Sequence, residues 1–108
     1  MLQFLYRIQP IRLGMLTEGP TELESKIVNE HFEYLEGLVN EEVVLMAGRT
    51  LHADESAFGI VIFVAESDIQ AKEIVHNDPA VLRGVMRAEL FPYRIALWSK
   101  KGPSDPVN

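Results

Sequence analysis

The sequence predicts an α+β domain in which one antiparallel β-sheet carries two helices on the same face. The chain has 108 residues, which is long enough for one compact domain and too short for two. Apolar residues make up 47% of the sequence, enough to build a hydrophobic core. Segments with the period of strands and of helices follow one another in the order strand, helix, strand, strand, helix, strand.

The first strand and the first helix have clear patterns. Residues 2–8 alternate, with one predicted inward side formed by Leu2, Phe4, Tyr6 and Ile8. Thr21 and Glu24 have the spacing of a capping box, which predicts the start of a helix that runs to about residue 40. The apolar positions of this helix recur at helical spacing: Leu23, Ile27, Tyr34, Leu35 and Leu38.

The second half of the chain contains the remaining elements. Residues 43–48 and 58–65 are short apolar runs rich in β-branched residues, which favour strands. Ser67 and Gln70 predict a second capping box and a helix to about residue 76. A helical turn over 80–83 and a last strand over 89–98 follow, and Pro92 predicts a bulge or an edge position in that strand. We expect a single domain over residues 1–98 and a flexible polar tail over 99–108.

This succession of elements folds most simply in the ferredoxin-like arrangement. The strands predicted over 43–48 and 58–65 contain VVLM and IVIFV, which are apolar on both alternating faces. The helices can cover only one face of the sheet, so the second apolar face needs another partner. A homodimer formed through that sheet face is therefore expected.

Composition argues against several classes of function. The net charge is −6 with no basic stripe, so nucleic acid is not an expected partner. The absence of cysteine excludes disulfides, thiolate metal sites, iron–sulfur clusters and a cysteine nucleophile. No apolar run approaches the roughly 20 residues that span a bilayer, and the N-terminus does not resemble a signal peptide. We expect a cytoplasmic protein with no membrane partner, no cofactor and no metal, since no phosphate loop, dinucleotide fingerprint or serine nucleophile motif is present.

His31 is the first candidate for chemistry. It lies in the middle of the first helix and shares a face with Ile27 and Leu35, so its ring is expected to point toward the sheet. One interpretation is a buried core histidine whose nitrogens bind a backbone carbonyl or the Tyr34 hydroxyl. The other is an acid–base group, because an unperturbed histidine titrates near neutral pH.

Asp78 is the second candidate. It precedes Pro79, and Asp at the N-cap with Pro at the first helical position is a common way to begin a helix. A carboxylate has two oxygens, so capping leaves one oxygen free for another partner such as His31. Arg49 follows a strand and can meet an anionic substrate or form a surface salt bridge. The loop sequence H-x-D-E from His52 to Glu55 contains metal-ligand types, but solvated loop charge is the favoured interpretation.

Four segments resemble the YciI-like (YCII-related) family: HFEYLEGL, MAGR, FGIVIFVAESDIQAKEIVHNDPAVLRGV and AELFPYRIAL. The similarity runs from about residue 27 to 97. Its most specific parts are H-x-x-Y-L, which begins at His31, and D-P-x-x-x-x-G, which runs from Asp78 to Gly84. The resemblance implies a dimeric α+β barrel fold and a His–Asp active site formed by His31 and Asp78. The family is related in fold to muconolactone isomerases and includes a dehydrochlorinase of hydroxylated aromatics.

The chain departs from the family pattern at two loops expected to rim the pocket. Glu41 and Glu42 stand where the family usually has a glycine, and Arg49 follows Ala-Gly where the family usually has proline. These departures leave the substrate class open. Tyr34 and Arg49 are weaker candidates for substrate binding.

Two functions remain open from the sequence. In the first, the protein is a cofactor-independent lyase or isomerase in which His31 is the general base or acid and Asp78 orients it; the substrate is small, with aromatic and anionic molecules as candidates. In the second, the protein is a non-catalytic small-molecule-binding or regulatory dimer in which both residues are structural. The enzyme hypothesis requires the ring and the carboxylate to lie within roughly 2.6–3.2 Å and to line a solvent-reachable cavity.

Overall fold

The computed structural model describes residues 1–103. Within this range the chain forms β1 (Leu2–Pro10), α1 (Gly14–Thr17), α2 (Glu22–Asn40), β2 (Val44–Arg49), β3 (Gly59–Ala65), α3 (Asp68–His76), α4 (Pro79–Leu82) and β4 (Met86–Tyr93). The strands form one antiparallel sheet in the order β2-β3-β1-β4. The predicted ferredoxin-like fold is therefore confirmed.

The core lies between the sheet and the helices. One face of β1 contributes Phe4, Tyr6 and Ile8, which are buried as the alternation predicts. Phe63 of β3 packs between the first two of these, with ring centroids 5.7 Å from each. Leu2 lies at the end of the strand and is exposed, so its predicted inward position is wrong.

Helix α2 begins where the capping box predicts. The Thr21 hydroxyl accepts the N–H of Glu24, and the Glu24 carboxylate accepts the N–H of Thr21 at 2.8 Å. Arg12 binds the same carboxylate at 2.7 Å and, with Thr21, lowers the pKa of Glu24 to about 2. Leu23, in the first turn, is exposed and does not join the predicted buried stripe. In residues 1–103, no helix has the length and apolar character to cross a membrane.

Helix α3 has only part of the predicted second capping box. The Ser67 hydroxyl accepts the N–H of Gln70 at 3.1 Å, as predicted. The Gln70 side chain, however, accepts the N–H of Glu66 instead of that of Ser67. The helix still begins after Ser67, as predicted, because the Ser67 hydroxyl satisfies the N–H of Gln70, one of the N–H groups in the first turn that lack a partner within the helix.

The last strand differs most from the prediction. It spans Met86–Tyr93 instead of residues 89–98, because charged Arg87 and Glu89 on its outer side hide the inward alternation in the sequence. The chain then leaves the sheet, and the N–H of Ile95 donates to the Gln3 side chain at 2.7 Å. Strand β4 is an edge strand, as Pro92 predicted. Of the predicted tail, residues 104–108 lie outside the described part of the chain.

The second face of the sheet carries a row of apolar side chains with no helix over it. We call this row the open-face row; from edge to edge it consists of Met46, Ile62, Leu5 and Phe91. Phe91 is 44% exposed in the single chain. Along β2 and β3, apolar side chains therefore lie on the open face as well as on the face that the helices cover, as the sequence of these two strands predicted.

Candidate active site

Helix α2 brings His31 to the sheet. The capping box fixes the start of the helix, and the spacing of four residues places His31 on the same buried stripe as Ile27 and Leu35. The imidazole is 9% exposed. The predicted inward orientation of the ring is therefore observed.

Helix α4 brings in Asp78. Its carboxylate accepts the N–H of Ala80 at 3.0 Å, and Pro79 occupies the first helical position. The chain continues past this short helix through Gly84, which adopts a left-handed backbone with φ of +73°. Asp78 is fully buried, and the predicted capping role is confirmed.

The two side chains meet in the core. Nδ1 of His31 lies 2.7 Å from Oδ1 and 2.8 Å from Oδ2 of Asp78. Because a carboxylate only accepts, Nδ1 carries the proton of this hydrogen bond. The distance falls in the range that the enzyme hypothesis requires, and the Tyr34 hydroxyl is not the partner of the ring.

Tyr6 completes a buried network that the sequence did not reveal. Its hydroxyl donates to Oδ2 of Asp78 at 2.9 Å from the central strand β1. Burial, reinforced by the charge of Asp78, raises the pKa of Tyr6 well above its usual value, so the phenol stays protonated and remains a donor. The signal was an inward-facing tyrosine in a core strand, because a buried tyrosine hydroxyl normally has a hydrogen-bond partner.

The other ring nitrogen of His31 is free. Nε2 makes no hydrogen bond to any residue in 1–103. Every fully buried side-chain nitrogen and oxygen in that range does have a hydrogen-bond partner, so Nε2 is not one of the fully buried atoms. It follows that Nε2 reaches solvent-accessible space. His31 indeed lines a cavity of about 500 Å³. The imidazole thus has one nitrogen fixed by a carboxylate and the other open to a cavity.

The cavity lies beneath the first two helices at one end of the sheet. Its walls are largely apolar and include Met15 of α1, Val28 and Phe32 of α2, and Ile8 of β1. Asp78 does not line it, because the carboxylate is buried behind the imidazole. The prediction that both residues line one cavity is therefore correct for His31 and wrong for Asp78.

Two weaker candidates from the sequence have different positions. Arg49, at the end of β2, lines the cavity. Tyr34 does not: its hydroxyl donates to the carbonyl of Ile74 at 2.6 Å, on the side where α2 meets α3. Burial, with the charge of Asp78 as the second cause, raises the pKa of Tyr34 to about 12. A substrate-binding role for Tyr34 finds no support in this position.

The polar loop between β2 and β3 forms its own local network. Nε2 of His52 lies 2.8 Å from the hydroxyl of Ser56, and the Asp54 carboxylate accepts the N–H of Ser56 at 2.8 Å. The Ser56 hydroxyl also donates to the Asp54 carboxylate, and this bond, followed by the one from the Ser56 N–H, lowers the pKa of Asp54. All three side chains are exposed. Within residues 1–103, no three His, Cys, Asp or Glu side chains converge as a metal site.

Solved structures with a similar fold are known. A 5-chloro-2-hydroxyhydroquinone dehydrochlorinase from Burkholderia phenoliruptrix AC1100, in complex with 2,5-dihydroxybenzoquinone, superposes with a TM-score of 0.62 at 25% identity, covering 87% of this chain and 94% of that one. An uncharacterized protein from Thermotoga maritima has a TM-score of 0.52 at 13% identity, covering 86% and 96%. A dimeric ferredoxin-like protein from an uncultured marine organism has a TM-score of 0.46 at 13% identity, covering 93% and 95%.

Sequence comparison gives the family. No curated protein sequence matches the chain. The model of the YCII-related domain, however, matches residues 11–94, which include both His31 and Asp78 and most of the residues that line the cavity. The chain therefore belongs to the YCII-related family.

Proposed function

We propose that the protein is a small enzyme of the lyase or isomerase type that performs general acid–base chemistry on a small, largely apolar substrate. One observation carries the proposal: Nε2 of His31 opens on an apolar cavity of about 500 Å³ while Nδ1 is held by Asp78 at 2.7 Å. A fixed tautomer, a nitrogen with a free lone pair and a largely apolar cavity beside it are features that suit a general base.

The proposed chemistry begins with proton transfer to His31. Nε2 accepts a proton from an acidic C–H or O–H of the bound substrate, and the Asp78 carboxylate stabilises the imidazolium that forms. In an elimination, the electron pair left on carbon forms a double bond, and the leaving group departs with its own pair. In an isomerisation, the imidazolium returns the proton to a different atom. Both routes are redox-neutral, because the substrate exchanges only a proton or a proton and an anion and transfers no electrons to another molecule.

Similarity to the Burkholderia enzyme supports the elimination route. That protein is a dehydrochlorinase and was solved with a hydroxylated quinone ring, and it is 25% identical to this chain over 87% of its length. Dehydrochlorination removes a proton and a chloride, so it is the kind of reaction that a positioned histidine promotes. A cavity of about 500 Å³ lies in the range of small-molecule sites and has room for a single ring.

Chloride release from a panel of chlorinated hydroxyaromatic compounds, including 5-chloro-2-hydroxyhydroquinone, tests the proposal. We expect turnover by the wild-type protein and a loss of about 10²–10⁴-fold in His31→Asn, the usual contribution of a general base. Asp78→Asn should also lose activity, because the amide removes the charge that holds the ring and stabilises its protonated form. Tyr34→Phe is the control, since its hydroxyl binds Ile74 outside the cavity.

The alternative function, a non-catalytic binding or regulatory dimer, predicts a different result. In that case compounds bind near His31 without turnover of any member of the panel. Turnover that is unchanged in His31→Asn would equally rule out His31 as the base.

We also propose that the protein is a homodimer joined through the open-face row. The row is apolar, crosses all four strands, and has no helix over it. An apolar sheet face of this kind favours association with a second copy, since a two-fold interface uses the same patch on both chains.

A further inference from the structure

The cavity contains one charged side chain besides the candidate base, and its chemistry defines a class of ligand. We infer that Arg49 binds an anionic group with two oxygens, such as a carboxylate, on a substrate with an apolar single-ring body. This inference rests on the proposed function only in taking the cavity as the substrate site.

Arg49 has no acidic partner in the structure. Four other arginines use their guanidinium groups within the fold: Arg7 binds Glu89, Arg12 binds Glu24, Arg83 binds Glu30, and Arg87 binds Gln9. The side chains of Arg49 and Arg94 make no hydrogen bond or ion pair to any residue in 1–103, and of these two only Arg49 lines the cavity. Its donors are therefore available to a ligand at the cavity.

The electrostatics of the cavity favour a negative ligand. No aspartate or glutamate lines it, although the whole chain carries a net charge of −6. The field of the whole chain therefore opposes an anionic ligand, and the guanidinium of Arg49 is the local charge in the lining that can offset it. Arginine suits this role because its planar fork donates two parallel hydrogen bonds to a carboxylate.

Among the residues that line the cavity, Arg49 is the one whose side chain is available to bind an anionic group of the ligand. Thr50 is the other polar side chain in the lining besides Arg49 and His31, and its hydroxyl is already bonded to the backbone of Phe58 as donor and acceptor. Gly59, directly opposite Arg49 in the sheet, packs closely against Ile8 and the carbonyl of Gly48, so it adds no polar group to this part of the lining. The rest of the lining is apolar, so the ligand body that fits it is apolar as well.

In this inference Arg49 binds the ligand and His31 transfers the proton. Both residues line one cavity, one from the edge strand β2 and the other from helix α2. A carboxylate held at Arg49 restrains the orientation of the ring in the cavity that Arg49 shares with His31. Arg49 is then a specificity-determining residue, and the proton transfer remains with His31.

Titration with benzoate and with the neutral, equally shaped benzamide tests the inference. By calorimetry we expect the wild-type protein to bind benzoate at least about tenfold more tightly than benzamide, as a charge-assisted pair predicts. Arg49→Gln should weaken benzoate about tenfold or more and leave benzamide within about twofold, while Arg49→Lys should keep part of the preference. Lys72→Gln, which removes the same charge from the exposed side of α3, should change neither affinity.

Three results would overturn the inference: no measurable benzoate binding to the wild-type protein, equal affinities for benzoate and benzamide, or an equal loss in Arg49→Gln and Lys72→Gln. The proposed acid–base function is scored separately by turnover. If His31→Asn loses turnover but the wild-type protein shows no benzoate preference, only the role of Arg49 fails. If an Arg49-dependent preference exists and His31→Asn keeps full turnover, only the acid–base proposal fails.

Discussion

The carboxylate of Asp78 begins helix α4 and holds the ring of His31 at the same time. Three donors converge on it: Nδ1 of His31, the Tyr6 hydroxyl and the N–H of Ala80. Each donor comes from a different element, so the carboxylate ties α2, β1 and α4 together at one buried point. A buried carboxylate is tolerated only with such partners, since an unpaired one carries a large desolvation cost.

Tyr6→Phe tests the importance of this network. The change removes a donor to a buried, charged acceptor, so we expect the free energy of unfolding to fall by about 1–3 kcal/mol in urea denaturation. Tyr34→Phe is a matched control, because its hydroxyl donates to a neutral backbone carbonyl and its loss should cost only about 0.5–1.5 kcal/mol. No measurable cost for Tyr6→Phe, or a smaller cost than for Tyr34→Phe, would contradict the network.

Residue-scale chemistry was only partly predictable from the sequence. The cap at Asp78 follows from the Asp-Pro pair alone, because capping is a local interaction. The hydrogen bond between His31 and Asp78 joins residues 47 positions apart, so it could be expected from the family resemblance but not from spacing. Tyr6 is 72 positions from Asp78 and was predicted only as a core residue.

The turn between α2 and β2 contains the least favourable backbone conformation among the described non-glycine residues. Glu42 has a positive φ of 62°. The left-handed conformation costs an L-residue roughly 1–2 kcal/mol because Cβ approaches the following carbonyl. Its N–H still donates to the carbonyl of Val39 at 2.9 Å, so the turn is held despite this cost.

Glu42→Gly should therefore stabilise the protein by about 0.5–1 kcal/mol, measured by chemical denaturation. Glu41→Gly provides the contrast: Glu41 has a φ of −87°, which any residue adopts, so added backbone freedom should destabilise the protein by about 0.5–1 kcal/mol. If both variants lose stability equally, the conformation of Glu42 is not the source of strain.

Prediction of the elements succeeded where a pattern extends over several residues. Helix α2 is long and has both a capping box and a stripe, so its bounds were predicted within two residues. Helix α1 was missed because its four residues are too few to show a period and its N-terminus has no capping side chain. For β4, sheet pairing with β1 decides where the strand begins, and that pairing cannot be read from the strand itself.

At the scale of the whole molecule, the sheet has one face covered by helices and one that is open. Both faces are apolar along β2 and β3, which the sequence of those strands shows directly, whereas β1 and β4 also place the Arg7–Glu89 ion pair on the open face. The sequence does not identify the partner that covers the open face, because apolar side chains favour burial by any apolar surface. A second copy is the proposed partner.

Phe91→Glu tests the proposed dimer. Phe91 belongs to the open-face row and is 44% exposed in the single chain, so a charge there is tolerated by the monomer but not by a sheet-on-sheet interface. Light scattering at micromolar concentration should show a dimer for the wild-type protein and a monomer for this variant. Ile69→Glu, the same kind of change at a 71% exposed position on α3, should remain dimeric. A monomeric wild-type protein would refute the proposal.

The tautomer of His31 is the most direct test of the account as a whole. Long-range proton–nitrogen NMR correlations at an alkaline pH, where the ring is neutral, distinguish the two nitrogens. The structure predicts that Nδ1 carries the proton, bound to Asp78 at 2.7 Å, and that Nε2 has the free lone pair facing the cavity. A ring that is protonated at Nε2 instead would have no free base at the cavity, and the proposed acid–base role of His31 would be wrong.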